Sequence, residues 1–129
     1  MYTLLVIDDS WLFRKMISRN LAELGYRVLC AEDTVAGWEL LEQEVPDLVL
    51  LDITLPKMSG IEFLKILREL PAWCDLPVLI LSGGSDRDTV LTAARLGACG
   101  FVLKKKCRGS ELENRVSRVL NRLPRQLAC

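Results

Sequence analysis

Residues 4–13 read "LLVIDDSWLF". Four apolar residues, Leu4 to Ile7, run unbroken into two adjacent aspartates, Asp8 and Asp9, and then into Ser10, a residue suited to cap a helix. A strand half exposed to water would alternate apolar and polar side chains. An unbroken run is how a strand buried on both faces of a parallel sheet reads. The stretch therefore predicts a central strand, a tight turn and a helix, with two like charges at the strand's carboxyl end.

The same signature recurs at "DLVLL" (Asp47 to Leu51) and "PVLIL" (Pro77 to Leu81), which with "TLLVI" (Thr3 to Ile7) are the expected central strands. "YRVLCA" (Tyr26 to Ala31) carries Arg27, and "GFVLK" (Gly100 to Lys104) is short and ends in charge, so both suit sheet edges. Helical patterns lie between them. Phe13, Met16, Ile17, Leu21 and Leu24 repeat at steps of three and four behind Ser10, with Gly25 placed as a stop. A second helix is expected over about 35–44. A third runs from the Ser59/Glu62 capping box to Pro71, and a fourth from about Asp86 to Leu96 before Gly97. The fifth opens at a Ser110/Glu113 box, with Leu112, Val116, Val119, Leu120 and Leu123 on one stripe, and closes at Pro124. Strict β-α alternation, five times over, calls for a doubly wound α/β domain: a five-stranded parallel sheet with helices on both faces and right-handed crossovers.

At 129 residues, half of them apolar, the chain has room for one domain with a sizeable core. Only "RQLAC", residues 125–129, reads as an untethered tail. Lys plus Arg equals Asp plus Glu at 17 each, which gives no charge argument for nucleic acid or an anionic membrane as partner. No apolar run approaches the roughly 18 residues needed to cross a bilayer, and no signal-peptide pattern opens the chain, so a cytoplasmic protein is expected. Cys30, Cys74, Cys99, Cys107 and Cys129 are irregularly spaced and read as reduced thiols. The absence of histidine excludes Ser-His-Asp hydrolases, Cys-His proteases, His-ligated metal centres and a phosphohistidine of the chain's own.

In a doubly wound fold, ligands gather outside the carboxyl ends of the strands. Asp8 and Asp9 follow the first strand, Asp52 the third, Ser82 the fourth and Lys104 the fifth, so all five should meet at one edge of the sheet. Carboxylates packed at about 4 Å, with an effective dielectric near 20, repel by on the order of 4 kcal/mol per pair. Lys104 supplies one positive charge. The remaining demand, made by oxygen donors alone, is one that a hard cation such as Mg²⁺ satisfies while keeping waters and room for a phosphoryl oxygen.

With these residues in place, the sequence resembles the receiver domain of two-component response regulators over about Thr3 to Leu123. The motifs are Asp8-Asp9-Ser10, "DITLPKMSG" with Asp52, Pro56 and Gly60, "LILSGG" with Ser82, and "GACGFVLK" with Phe101 and Lys104. The resemblance implies a flavodoxin-like sheet of order 2-1-3-4-5, a domain over 1–124 and a tail over 125–129. It implies that Asp52 is the nucleophile and phosphorylation site, accepting a phosphoryl group from a histidine kinase or histidine phosphotransfer protein. Asp8, Asp9, Asp52 and the Thr54 carbonyl would hold Mg²⁺, while Ser82 and Lys104 would contact the phosphoryl oxygens. Ser82 and Phe101 match a switch that remodels the face of helix 4, strand 5 and helix 5 toward an unidentified output protein or domain. Thr54 and Gly84 match positions that tune water access. Phosphoryl transfer would be to the chain itself, with no independent substrate turned over.

Two points stay open in the sequence. A switching Phe101 and a plainly packed one read alike. The family's strand-5 lysine is usually followed by a cis proline, but Lys105 stands here, and a non-proline cis bond costs about 3 to 4 kcal/mol. Rival readings are weaker. A haloacid-dehalogenase-type phosphatase needs D-x-D, where this chain has Ser10. A flavodoxin would have its phosphate repelled by the aspartates, and no P-loop or G-x-G-x-x-G occurs. A receiver-like docking domain that works without phosphorylation remains as the alternative.

Overall fold

The computed structural model describes residues 1–55, 58–84 and 87–122. Five strands alternate with five helices: β1 (Thr3–Ile7), α1 (Trp11–Glu23), β2 (Arg27–Ala31), α2 (Thr34–Gln43), β3 (Leu48–Asp52), α3 (Gly60–Glu69), β4 (Val78–Ser82), α4 (Arg87–Arg95), β5 (Gly100–Leu103) and α5 (Glu111–Asn121), with a 3₁₀ turn at Lys104–Lys106. All strand pairs are parallel and the order is β2-β1-β3-β4-β5, the doubly wound flavodoxin-like topology. The two strands expected at the edges hold those places: β2, which carries Arg27, and β5, which stops at Leu103 just before Lys104.

The unbroken apolar runs are explained by two cores, one on each face of the sheet. Leu5, Ile7, Val49, Leu51 and Ile80 point to one side and meet Leu41 of α2, Phe63, Leu64 and Leu67 of α3 and Ala93 of α4. Leu4, Val6, Leu48, Leu50, Leu79, Leu81 and Val102 point to the other and meet Ile17 and Leu21 of α1 and Leu112, Val116 and Leu120 of α5. Every residue of β1, β3 and β4 is consequently buried. Each fully buried aliphatic side chain contributes about 1.5–3 kcal/mol. That stabilisation lets the strand ends hold groups that do not stabilise the fold themselves.

Helix starts follow local chemistry in three of four cases read from sequence or structure. The Ser10 hydroxyl accepts from the Phe13 N–H, the Ser59 hydroxyl from the Glu62 N–H, and the Asp33 carboxylate, unnoticed in the sequence, from the Ala36 N–H. The capping box expected at Ser110 does not form. Ser110 sits at φ −98°, ψ 7°, outside the extended region that aims an N-cap oxygen at the first turn, and its side chain makes no capping bond. Helix 2 begins at Thr34 rather than Val35 because Asp33 caps it, and β2 begins at Arg27 rather than Tyr26, whose N–H is held by the Leu21 carbonyl in the exit turn of α1. Leu24, expected on the buried stripe of α1, is that helix's C-cap and is exposed. Pro56, the proposed helix-4 start at Asp86, the closure at Leu123 and Pro124, the tail over 125–129 and Cys129 lie outside the described residues. Among the described residues no helix is long and apolar enough to cross a membrane.

Candidate functional site

Parallel register brings the carboxyl ends of the strands level. Asp52, the last residue of β3, pairs with Leu81, next to Ser82 at the end of β4, and Ser82 pairs with Leu103, next to Lys104. Asp8 and Asp9 leave β1 at the same edge, and the Asp8 N–H is tied to the Ala31 carbonyl at the end of β2.

Three carboxylates converge there: one oxygen from each of Asp8, Asp9 and Asp52 lies within 4.8 Å of the others. Asp8 and Asp52 are almost fully buried, whereas Asp9 is exposed. The Lys104 ammonium stands between the buried pair, 2.6 Å from Asp8 Oδ2 and 3.0 Å from Asp52 Oδ2. Asp8 Oδ1 accepts the Ser10 N–H at 2.8 Å. Asp52 Oδ1 accepts both the N–H and the hydroxyl of Thr54, at 3.0 and 3.2 Å. Both Asp52 oxygens are thus held, which fixes the carboxylate's orientation.

Electrostatics differ within the cluster. Burial pushes the Asp8 carboxyl above its ordinary range, and the Asp52 charge adds to that, while Lys104 and the Ser10 N–H oppose it without prevailing. For Lys104, burial disfavours the charge, but Asp8 and Asp52 outweigh it and raise its pKa, so the ammonium persists through the neutral range. With all groups ionised, three carboxylates and one ammonium leave the cluster at −2 (1 − 3). At 4.8 Å a pair of like charges repels by about 3 kcal/mol at an effective dielectric near 20.

The donor set fits Mg²⁺. It is oxygen-only, one member is exposed at the rim where waters can stay, and the two buried carboxylates of Asp8 and Asp52 share a single ammonium.

Gly60 explains how the α3 N-terminus reaches this edge. A Cβ there would stand 2.5 Å from the Asp52 carbonyl oxygen and 2.8 Å from the Ile53 Cα, so only glycine lets the helix abut the end of β3. Two further residues escaped the sequence reading. Arg14 Nη1 donates to the Asp8 carbonyl at 2.6 Å, and the Phe13 ring lies 5.0 Å beneath the Lys104 ammonium. Their helical offset from the Ser10 cap was the signal available: one turn of α1 returns residues 13 and 14 to the strand end.

Ser82 is buried at the end of β4, and its hydroxyl accepts the Gly84 N–H at 3.1 Å. Beside it opens an apolar cavity of about 350 Å³ between α4 and β5, lined by Val90, Leu91, Phe101 and Leu103 among others. Phe101 is 41% exposed, so it is not a plainly packed core aromatic. Among the described residues no peptide bond is cis, which makes the Lys104–Lys105 bond trans, and Lys105 and Lys106 are exposed in the 3₁₀ turn.

Comparison with known proteins gives a consistent result. A family described as "Response regulator receiver domain" matches residues 4–117. The chain is 33% identical over 103 residues to chemotaxis protein CheY1 of Helicobacter pylori, covering 78% of this chain and 83% of that protein. It is 35% identical over 118 residues to the probable transcriptional regulator ycf27 of Guillardia theta, covering 92% of this chain but 45% of that protein. With the phosphate regulon transcriptional regulatory protein PhoB of Pseudomonas aeruginosa it shares 33% identity over 102 residues, 79% of this chain and 44% of that one. The chain thus spans less than half the length of several relatives it matches. Among solved structures, the NtrX receiver domain from Brucella abortus superposes with a TM-score of 0.84 at 28% identity, covering 93% of this chain and 99% of that one. A response regulator from Chloroflexus aurantiacus superposes with a TM-score of 0.85, also at 28% identity, covering 94% and 98%.

Proposed function

The chain belongs to the response regulator receiver domain family, a family of phosphoacceptor signalling domains, and from that premise we propose that Asp52 is its acceptor in a Mg²⁺-dependent reaction. The observation that carries this reading is the placement of the Asp52 carboxylate. One oxygen is held by Thr54, the other faces Lys104, and Asp8 and Asp9 stand within 4.8 Å.

In the reaction, an Asp52 oxygen attacks the phosphorus of a partner's phosphohistidine, the P–N bond breaks, and the imidazole leaves with the electron pair. The product is an acyl phosphate on Asp52. The Thr54 contacts orient the carboxylate so that little freedom is lost in reaching the transition state. Lys104, already charged and placed at Asp52 Oδ2, is positioned to follow the incoming oxygens as a point charge. Asp8, Asp9, Asp52 and the Thr54 carbonyl would hold Mg²⁺, which when bound offsets the negative charge of the carboxylates and the phosphoryl group. Ser82 is the hydroxyl donor at the end of β4, and Phe101, beside the cavity next to it, is the residue through which its movement would alter the surface of α4, β5 and α5.

The donor is a histidine kinase or a histidine phosphotransfer protein, since this chain has no histidine of its own. The output is a separate protein or a further domain. No observation favours docking without phosphorylation.

Intact mass after incubation with acetyl phosphate tests the reading. One phosphoryl group, labile in base, should appear on the wild type with Mg²⁺, and be absent with chelator and absent from Asp52→Asn. Equal labelling of Asp52→Asn would remove Asp52 from the role, and labelling unaffected by chelator would remove the metal.

A further inference from the structure

At the other end of the strands, away from the acidic cluster, a cavity of about 650 Å³ opens between the α3–β4 connection, the C-terminus of α4 and the last turns of α5. That volume lies in the range that holds small organic ligands. Leu76, Pro77, Leu96 and Val119 give it an apolar lining. Among the described residues that line it, the charged groups are Arg68, Arg95 and Arg122 against the carboxylate of Asp75, a net charge of +2 (3 − 1) in a chain whose charges sum to zero.

The wall is built by Arg68. Its Nε donates to the Leu96 carbonyl at 2.7 Å, Nη1 to Leu76 at 2.8 Å and Cys74 at 3.2 Å, and Nη2 to Gly97 at 3.2 Å. These carbonyls satisfy the guanidinium's hydrogen bonds, but they leave its full charge in place, and no carboxylate stands within ion-pairing distance among the described residues. The same bonds tie the α3–β4 connection to the end of α4, so the cavity is held open in advance of any ligand. Arg95 and Arg122 are exposed, and neither is ion-paired among the described residues. The Cys99 thiol donates to the Val78 carbonyl at 3.2 Å and stays neutral, adding no negative charge.

We propose that this cavity binds a small amphipathic anion, an apolar ring or short chain bearing one carboxylate, sulfonate or phosphate group. A bare inorganic anion would leave the apolar lining uncovered, and a neutral apolar body would leave the cations without a counter-charge. The inference is independent of the phosphoacceptor reading, because the cavity shares no residue with the acidic cluster.

Naphthalene-2-sulfonate titrated into the ¹⁵N-labelled full chain is the test, read by amide chemical shifts. Saturable shifts are expected at Leu76, Leu96, Gly97 and Cys99, with Asp9 and Thr54 unmoved. In the double variant Arg95→Gln/Arg122→Gln, which alters only exposed side chains, Kd should rise by about fivefold or more, as expected for two partly screened charge contacts. An unchanged spectrum, or equal affinity in the double variant, overturns the proposal. So does equal binding of inorganic sulfate, which would mark a bare anion site, or of neutral 2-naphthol, which would mark an apolar crevice.

Discussion

Asp8 is the residue at which stability and chemistry oppose each other. It is fully buried, and burial holds its carboxyl above the ordinary range despite the Lys104 ammonium at 2.6 Å. A raised carboxyl pKa means that the folded state binds its proton more tightly than the unfolded chain does. The proton-linked stabilisation is therefore fully present below 3.8 and is lost as pH rises through the elevated folded value. As pH rises above 3.8 the buried carboxyl therefore weighs progressively against the metal-free fold. We expect Asp8→Asn to raise the metal-free Tm at pH 7 by roughly 4 °C, equivalent to about 1 kcal/mol, while removing most of the Mg²⁺-induced rise in Tm. The gap between variant and wild type should open across the window above pH 3.8. A variant that melts lower than wild type in chelator at pH 7 would show that the Lys104 ion pair outweighs desolvation. Lys104 has linkage of the same sign in a far higher window: its contribution is fully present below 10.5 and is lost only as pH rises through its raised folded pKa.

Elements reach the site through their ends, so helix starts give predictions of graded size. Replacing Ser10, Asp33 or Ser59 by alanine removes a capping bond seen in the structure, and each should lower stability by about 1 kcal/mol in urea unfolding. Ser110→Ala, which removes no capping bond, should change it by under about 0.5 kcal/mol. A loss at Ser110 equal to the other three would mean that its hydroxyl caps α5 in solution. Gly60→Ala acts by a different route. Its Cβ would meet backbone atoms of Asp52 and Ile53, which cannot swing aside as a flexible side chain could. A destabilisation of about 1–3 kcal/mol is expected, together with slower acetyl phosphate labelling, because the clash pushes on the acceptor's own carbonyl. Normal stability and labelling in that variant would show that α3 can back away at little cost.

At the scale of the whole molecule, two local clusters of opposite sign lie apart, net −2 in the acidic cluster and net +2 around the opposite cavity, in a chain with 17 charges of each sign. A cation that binds the folded cluster alone stabilises the fold by mass action, by about 2.7 kcal/mol at one hundred times its dissociation constant. Mg²⁺ should therefore raise Tm in wild type, and Asp52→Asn should markedly reduce that gain; an equal rise in both would place the ion elsewhere. Much of this was legible in the sequence. Unbroken apolar runs in β1, β3 and β4, helical periodicity between them and polar residues at the strand ends determined a doubly wound sheet, because burial on two faces leaves a local imprint on composition. The same logic brought Asp8, Asp9, Asp52, Ser82 and Lys104 to one edge. The tertiary structure alone decided which oxygen meets which donor, that Phe101 lines a cavity instead of packing in the core, and that Arg68 gathers carbonyls from two distant loops. Lys104 and Asp52 are 52 residues apart, and Arg68 and Leu96 are 28 apart. Periodicity records which face of an element is buried, but a distance between two remote side chains depends on how every intervening element packs.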